Sequence, residues 1–136
     1  VASVQIPVLV NGDITSCETA ETAIRNSGAA GVMVGRAAMG QPWLLAQIAD
    51  YISGQQVRPV PSYLARYIMM LEHLSDIIVE SGEGGLRAAR KHFAAYCDHL
   101  KDSDDLRAVA MQSATAAELK DAIDRYFLQP SRLSAA

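Results

Sequence analysis

Two short apolar runs, each followed by a glycine-containing loop, constrain the fold of this chain most strongly. Val8-Leu9-Val10 precedes Asn11-Gly12-Asp13, and Gly31-Val32-Met33-Val34 precedes Gly35-Arg36. Continuous apolar runs of this kind are typical of strands buried on both faces of a parallel sheet. The intervening residues have helical spacing, so the segment predicts one β-α-β unit with a loop at the carboxyl end of each strand.

The helix between the two strands is predicted to begin at a capping box. Thr15 and Glu18 have the Thr-x-x-Glu spacing in which each side chain accepts a hydrogen bond from the other residue's backbone N–H. This helix is expected to run from about Ser16 to Asn26. Another helix is predicted after the second loop, with Pro42 in its first turn and Trp43 as a buried anchor rather than a base-stacking platform.

Beyond residue 55 the sequence is helical almost throughout. Residues 54–60 contain glycine and proline and are predicted to form a linker. Helices are predicted at about 63–79, 86–100, 104–111 and 115–128, and Gly82, Gly84 and Gly85 are predicted to form the turn between the first two. Apolar residues three and four apart predict the buried face of the first helix, and they are Leu64, Tyr67, Ile68, Leu71, Leu74 and Ile78.

These patterns predict a mainly α chain with a short β-α-β unit. The predicted domains are residues 1–53, the linker 54–60 and a helical domain of residues 61–136. Two parallel strands do not make a stable sheet by themselves. The missing neighbours must come from residues before Val1 or from another copy, so we expect residues 1–53 to be the end of a larger α/β sheet or barrel. Unpaired strand edges also predict that the isolated chain self-associates through residues 1–35.

Composition excludes several classes of protein. Half of the 136 residues are hydrophobic, which excludes disorder throughout, and no run of about 18 apolar residues predicts a membrane span. The net charge of −3 gives no overall attraction to nucleic acid or anionic membranes, so binding of either needs a local patch. Cys17 and Cys97 lie far apart, which predicts reduced thiols in a cytoplasmic protein and no metal site.

The loops that follow the two strands predict a phosphate-binding site. Carboxyl ends of neighbouring parallel strands meet at one edge, and the last loops of (β/α) barrels often hold a phosphate there. Gly12 and Gly35 allow close approach of backbone N–H groups, and Arg36 can pair with phosphate oxygens bidentately. Asn-Gly-Asp is also a common tight turn and Arg36 could be an ordinary surface residue. The presence of both loops on successive strands favours the phosphate interpretation.

The segments IPVLVNGDI (residues 6–14) and GVMVGRAAMGQPW (residues 31–43) closely resemble the end of the flavin-dependent tRNA dihydrouridine synthases. In that family an FMN-binding TIM barrel precedes a smaller all-helical domain. The resemblance therefore implies that residues 1–53 hold the last two strands of a TIM (β/α)8 barrel. It implies reduction of tRNA uridines to 5,6-dihydrouridine with FMN and NAD(P)H. The implied FMN-phosphate contacts are Asn11, Gly12, Gly35 and Arg36, with Asp13 beside them.

A basic stripe is predicted in the helical half. Arg87, Arg90 and Lys91 lie three and four residues apart, which places them on one helix face. Residues 83–101 contain four basic and two acidic residues, a local excess of positive charge within an acidic chain. Such a stripe suits phosphate-backbone binding, and the resemblance implies tRNA contacts at Arg87, Arg90, Lys91 and His92. Charges on an exposed face can also serve solvation alone, and His92 could equally be a packed histidine.

No catalytic residue is predicted in these 136 residues. The resemblance implies a proton-donating cysteine in an earlier barrel loop, and neither Cys17 nor Cys97 lies in such a context. The isolated chain is therefore expected to be inactive and to bind FMN weakly or not at all. Two alternatives remain open. The chain could be part of another FMN-dependent barrel oxidoreductase that acts on a small molecule, but the helical half would then have no role. It could also be a non-catalytic helical interaction module, but the two loops predicted to bind phosphate would then have no role.

Overall fold

The computed structural model describes residues 3–130 and is mainly helical, with two short parallel strands. This agrees with the predicted mainly α chain that contains one β-α-β unit. The chain divides into two compact units, Val1–Val60 and Pro61–Ala136. The elements in chain order are β1 Leu9–Asn11, α1 Cys17–Ser27, β2 Gly31–Met33, a 3₁₀ helix Arg36–Ala38, α2 Trp43–Ile52, α3 Tyr63–Cys97, α4 Asp104–Gln112 and α5 Ala116–Phe127.

Strands β1 and β2 pair in parallel, as the β-α-β prediction requires. Leu9 lies opposite Gly31 and Asn11 lies opposite Met33. The strands have three residues each and are shorter than the apolar runs that predicted them. Asn11 is the last residue of β1 instead of the first residue of the loop, so the ladder extends to the edge of the candidate phosphate site.

The two faces of this sheet differ in exposure. Val32 and Val34 pack against a small buried cluster whose members are Ile14, Ala20, Leu44 and Ile48. Successive side chains of a strand point to opposite faces. Leu9 and Met33 therefore occupy the other face, where they are 61% and 55% exposed. Within residues 3–130 the helices cover only one face of the sheet, so burial of the other face stays a prediction about a larger sheet.

The cap of α1 is one residue later than predicted. The Ser16 hydroxyl accepts a hydrogen bond from the Thr19 backbone N–H at 3.2 Å. In return, the Thr19 hydroxyl oxygen accepts from the Ser16 N–H at 2.9 Å. The capping box is therefore Ser16–Thr19, and the prediction of Thr15 with Glu18 is wrong. A threonine hydroxyl at the third helical position performs the task assigned to the glutamate.

The segment predicted as a linker is irregular and is attached to α2. Arg58 donates to the Asp50 carboxylate through its side-chain Nε at 2.7 Å and Nη2 at 2.8 Å. The Arg58 backbone N–H donates to the same carboxylate at 3.1 Å. Asp50 is buried, and these three bonds satisfy it. Residues 54–58 are consequently held against the first unit.

Helix α3 folds back on itself at Gly82, whose φ of 58° and ψ of −165° are not helical. The rings of His73 and Phe93 lie 5.4 Å apart, whereas a straight helix would separate residues 20 apart by about 30 Å. Gly82 thus ends the first half, as predicted. Gly84 and Gly85 belong to the second half and do not extend the turn, contrary to the prediction. Gly85 lies so close to the first half that a Cβ there would be 2.6 Å from the Ser81 Cβ.

The helical unit encloses a complete apolar core. Its fully buried large side chains are Phe93, Phe127, Met70, Leu86, Leu119 and Ile123. The second half of α3 contributes Leu86 and Phe93 to this core. The predicted face of the first half of α3 is partly wrong, since Leu64 and Ile68 are 54% and 47% exposed. Leu74 is buried as predicted, and Met70, which lay outside the predicted face, is fully buried.

Trp43 at the start of α2 is buried, as predicted for an anchor of the core.

Among residues 3–130, the helices lack the combination of length and apolar character that a membrane crossing requires.

Candidate functional site

The loop after β1 has a backbone that a glycine makes possible. Gly12 has φ 149°, a value that residues with a side chain rarely adopt. The following Asp13 has φ 44°, in the left-handed region that aspartate tolerates better than most residues. This pair of conformations turns the chain sharply at the end of β1 and leaves the Asp13 carboxylate in solvent.

The loop after β2 presents a cation at the same edge. Gly35 precedes the 3₁₀ helix Arg36–Ala38, and the Arg36 side chain is 93% exposed. Its Nη2 lies 3.4 Å from Asp13 Oδ1, a long ion pair between two exposed groups. Because a surface pair of this kind contributes little stability, the arginine can exchange its carboxylate partner for another anion.

The structure brings all five predicted cofactor residues together. Asn11, Gly12, Asp13, Gly35 and Arg36 line one open depression of about 730 Å³, together with Ile14, Thr15 and Ala37. The parallel pairing of β1 with β2 produces this arrangement, since it places both carboxyl ends side by side. Backbone donors, a glycine-rich wall and an exposed guanidinium are the groups that bind a phosphate monoester.

The predicted basic stripe of α3 is divided in the structure. Arg87 and Lys91 are exposed to solvent. Arg90 is half-buried, and its Nη2 donates to the Ser113 carbonyl at 2.7 Å and to the Gln112 carbonyl at 3.4 Å. The three side chains therefore differ in exposure, and Arg90 alone of the three has a guanidinium nitrogen bound to these backbone carbonyls.

His92 is half-buried and packs beside a second histidine. Its ring centroid lies 5.9 Å from that of His73. His73 Nδ1 is 3.2 Å from the Tyr96 hydroxyl, and burial followed by the nearby His92 lowers the pKa of His73. The packed position of His92 agrees with one of the two roles that the sequence left open, without testing the other.

Neither cysteine resembles an activated nucleophile or acid. Cys97 is buried, and burial raises its pKa to about 11. Burial also raises the pKa of Cys17, and the neighbouring Glu18 adds to the effect. A reactive thiol has a depressed pKa, so both side chains have the opposite character. Within residues 3–130, no group of three His, Cys, Asp or Glu side chains is placed to hold a metal ion.

Sequence reasoning missed two acidic residues that organise the structure. Asp50 binds Arg58, which holds the pKa of Asp50 down at about 2. Glu83 accepts a hydrogen bond from the Ala116 N–H, 33 residues away. Asp50 is the one charged residue of α2, and that was a usable signal for the first pairing. The contact between Glu83 and Ala116 depends on tertiary packing, and no local sequence pattern indicates it.

Comparison with known proteins identifies a single family. The family model described as "Dihydrouridine synthase (Dus)" matches residues 1–131. A "Probable tRNA-dihydrouridine synthase" of Rhodobacter capsulatus is 43% identical over 85% of this chain and 36% of its own length. A protein of the same name from Rickettsia bellii is 38% identical over 92% of this chain and 39% of its own length.

A third relative has a more specific name. The "tRNA-dihydrouridine synthase B" of Xanthomonas axonopodis pv. citri is 39% identical over 84% of this chain. The chain spans from 35% to 39% of the length of these three relatives. The family match includes both the Asn-Gly-Asp and Gly-Arg loops and the helical half, which disfavours the two alternatives that leave one of these parts without a role. This chain therefore belongs to the dihydrouridine synthase family.

Proposed function

We propose that this chain supplies the carboxyl-terminal part of a tRNA-dihydrouridine synthase that reduces uridines in tRNA to 5,6-dihydrouridine with FMN and NAD(P)H. One observation carries the proposal most directly. The Asn-Gly-Asp and Gly-Arg loops surround one depression at the carboxyl edge of a parallel strand pair. Phosphates bind at this edge in α/β proteins. The names of the relatives supply the substrate, which is tRNA.

The residues at the depression fit the phosphate of FMN. A Cβ placed on Gly12 or Gly35 would meet no atom within 4 Å, so the wall beside both backbones is open to a ligand. The Arg36 guanidinium would neutralise the phosphate, and the glycine backbones would donate to it. The Asp13 carboxylate, whose contact with Arg36 is long at 3.4 Å, would release the guanidinium to the phosphate. FMN, when bound, supplies the hydride that uridine reduction requires, and NAD(P)H replenishes it.

The exposed face of the sheet supports a TIM-barrel parent. Barrel strands carry helices on one face and point the other into the barrel interior. In this chain α1 and α2 cover one face, and Leu9 and Met33 are exposed on the other. In isolation, this apolar surface and the unpaired strands favour self-association through residues 1–35. Sedimentation as a monomer at high concentration would contradict that expectation.

The proposed tRNA-binding surface is the exposed side of the second half of α3. Arg87 and Lys91 lie one helical turn apart and face solvent, where each can contact a backbone phosphate. Of the four predicted tRNA contacts, these two have the exposure that the role requires. Arg90 and His92 are half-buried, and the tRNA would reach them less directly.

The proton donor of the reaction is proposed to lie outside these 136 residues. A thiol with a pKa of about 11 is a weak general acid at neutral pH, which disfavours Cys97. Cys17 lies in the first turn of α1 and also has a raised pKa. The isolated chain is accordingly expected to lack reductase activity.

Two unpaired thiols and a tRNA substrate support a cytoplasmic location.

An NMR titration tests the phosphate site. Millimolar FMN added to the ¹⁵N-labelled chain should shift the amide resonances of Gly12, Gly35 and Arg36, since NMR detects even weak binding. Arg36→Gln should abolish these shifts. Arg25→Gln removes an exposed arginine from the end of α1 and serves as the matched control. Shifts that persist in Arg36→Gln would contradict the assigned site.

Binding of bulk tRNA tests the substrate surface. Fluorescence anisotropy at several salt concentrations should show binding that weakens as salt rises. Arg87→Gln combined with Lys91→Gln should reduce the affinity at least tenfold at low salt. Arg125→Gln, which removes an exposed arginine of α5, should not. Equal affinity of all three proteins would exclude this face, and an absence of binding by the unmodified chain would favour a non-RNA interaction module.

A further inference from the structure

We propose that Arg90 is a positioning residue that acts together with Glu83 to fix the α4–α5 corner, residues 113–115. The tRNA-facing cations of the same helix are then Arg87 and Lys91. The assignment of Arg87 and Lys91 to tRNA rests on the proposed function, whereas the role of Arg90 and Glu83 at the corner does not.

Arg90 binds the carboxyl end of α4. Its Nη2 donates to Ser113 O at 2.7 Å and reaches Gln112 O at 3.4 Å. Gln112 is the last residue of α4 and Ser113 is its C-cap. The last carbonyl groups of a helix have no partner within it, and the helix dipole makes this end negative. The Arg90 guanidinium supplies hydrogen-bond donors to these carbonyls and a positive charge beside the negative helix end. Its half-buried position strengthens this electrostatic attraction.

Glu83 binds the amino end of α5. Its Oε2 accepts a hydrogen bond from the Ala116 N–H at 2.8 Å. Ala116 is the first residue of α5, and its N–H belongs to the group that lacks a partner inside the helix. A carboxylate is favoured at this positive end of the helix dipole. Thr115 caps the same terminus by accepting from the Glu118 N–H at 3.3 Å.

The two contacts come from one side of a single helix. Glu83 and Arg90 are seven residues apart in the second half of α3, which places them about two turns and 10 Å from each other on one face. The corner presents a negative helix end to the arginine and a positive helix end to the glutamate. Opposite charges on α3 therefore match opposite helix ends, and exchanging either charge would oppose a dipole.

Other arginines of the helical unit behave as Arg90 does. Arg66 donates to the carbonyls of Pro61 and His99, and Arg107 donates to that of Ala94. Binding of backbone carbonyls is thus a repeated task of arginines in this unit, both of half-buried Arg66 and of exposed Arg107. Arg87 lies on the same helix as Arg90 with its side chain in solvent, and it provides a matched control.

Hydrogen exchange tests the role of Arg90 without any ligand. Arg90→Met keeps an unbranched apolar stem but removes every donor and the charge. Backbone amides of residues 104–118 should exchange about tenfold faster or more in this variant, because their helix ends lose a charge-assisted contact. Arg87→Met should change their exchange less than twofold. Arg90→Lys should restore part of the protection.

A second variant covers the possibility that Arg90→Met does not fold. Glu83→Gln keeps an acceptor but removes the negative charge, so it should speed exchange mainly at residues 116–118. Equal protection of residues 104–118 in the unmodified chain, Glu83→Gln and Arg87→Met would overturn the proposed clamp. Equal effects of Arg90→Met and Arg87→Met would overturn it as well.

The salt dependence of tRNA binding tests the division between the cations. Each lost phosphate contact reduces the slope of log Kobs against log salt by about 0.7–0.9. Arg87→Met and Lys91→Met should each show that reduction, and Arg90→Lys and Arg90→Met should leave the slope unchanged. A reduced slope in Arg90→Met would make Arg90 a phosphate contact and contradict the proposal. If the unmodified chain does not bind tRNA, the proposed function fails, and the exchange experiment still decides the clamp.

Discussion

The unit of residues 3–60 and the unit of residues 61–130 differ in how completely each covers its own apolar side chains. The first has a small cluster on one side of a two-stranded sheet and leaves Leu9 and Met33 more than half exposed on the other. The second buries two phenylalanines and several aliphatic side chains completely. The helical unit therefore holds its own core, whereas the sheet leaves one apolar face exposed.

The two units also position their functional groups differently. In the first, Arg36 and Asp13 are exposed side chains on loops, and their contact is long. In the second, Arg66, Arg90 and Arg107 are fixed by backbone carbonyls. The Arg36 guanidinium is therefore open to solvent, whereas the arginines bound to carbonyls contribute to holding the helical unit together.

The largest expected contrast comes from truncating one side chain in each unit. Phe93→Ala removes a fully buried ring of the helical core and should lower the free energy of unfolding by about 3–5 kcal/mol. Leu9→Ala removes a side chain that is 61% exposed and should cost about 0.5 kcal/mol or less. Urea unfolding followed by far-UV circular dichroism measures both. Similar losses for the two variants would break the comparison.

The next contrast lies at two adjacent glycines of α3. A Cβ on Gly85 would lie 2.6 Å from Ser81 Cβ and 3.2 Å from Ile77 Cγ2, so Gly85→Ala should cost about 1–3 kcal/mol. Gly84 is also helical and has open space, so Gly84→Ala should stabilise the helix by up to about 1 kcal/mol. Thermal unfolding of both variants measures the difference. A destabilised Gly84→Ala would show that the tight packing extends beyond Gly85.

A pH-dependent effect is expected in the first unit at Asp50. Arg58 depresses the pKa of the Asp50 carboxyl to about 2 from a usual 3.8, so ionised Asp50 favours the folded state. This contribution is complete above about pH 4 and disappears as the pH falls towards 2. Asp50→Asn should therefore lower the thermal midpoint at pH 7 and have progressively less effect below pH 4. The loss should be modest because Arg58 is half exposed. An undiminished effect at pH 2 would contradict the assignment.

The smallest expected contrast distinguishes two neighbouring hydroxyl residues. Ser16→Ala removes the observed cap of α1 and should cost about 1 kcal/mol. Thr15→Ala removes the residue that sequence spacing favoured and should cost much less, since Thr15 contributes a backbone N–H to Thr19 Oγ1. Denaturant unfolding of the two single variants compares them. A larger loss for Thr15→Ala would restore the cap that the sequence predicted.

Much of the fold was predictable because it depends on local patterns. Gly12, Gly35 and Gly82 mark positions where the chain must turn, and each does so in the structure. Helix positions were predictable within a few residues from apolar spacing. The buried side of the first half of α3 was not predictable in the same way. Leu64, Ile68 and Met70 are all apolar, and only the neighbouring helices determine which of them is covered.

The candidate phosphate site was predictable for a related reason. Loops at the carboxyl ends of adjacent parallel strands must lie together, so Asn11–Asp13 and Gly35–Arg36 follow from order along the chain. The exposure of the basic residues was not predictable. Helical spacing cannot distinguish an arginine that faces solvent from one that faces a backbone carbonyl distant in sequence. Arg87 and Arg90 are three residues apart, yet one is exposed and the other binds Ser113.

The sequence by itself determined the β-α-β unit, the helical half, the pair of loops and the resemblance that led to the dihydrouridine synthase family. All of these depend on interactions between residues close in sequence or on the order of elements. Only the tertiary structure decided that one sheet face is open, that Asp50 holds Arg58, and that Glu83 and Arg90 bind the α4–α5 corner. Those features depend on which segments meet in space, and a charged side chain acquires its role from the helix end or solvent that it meets.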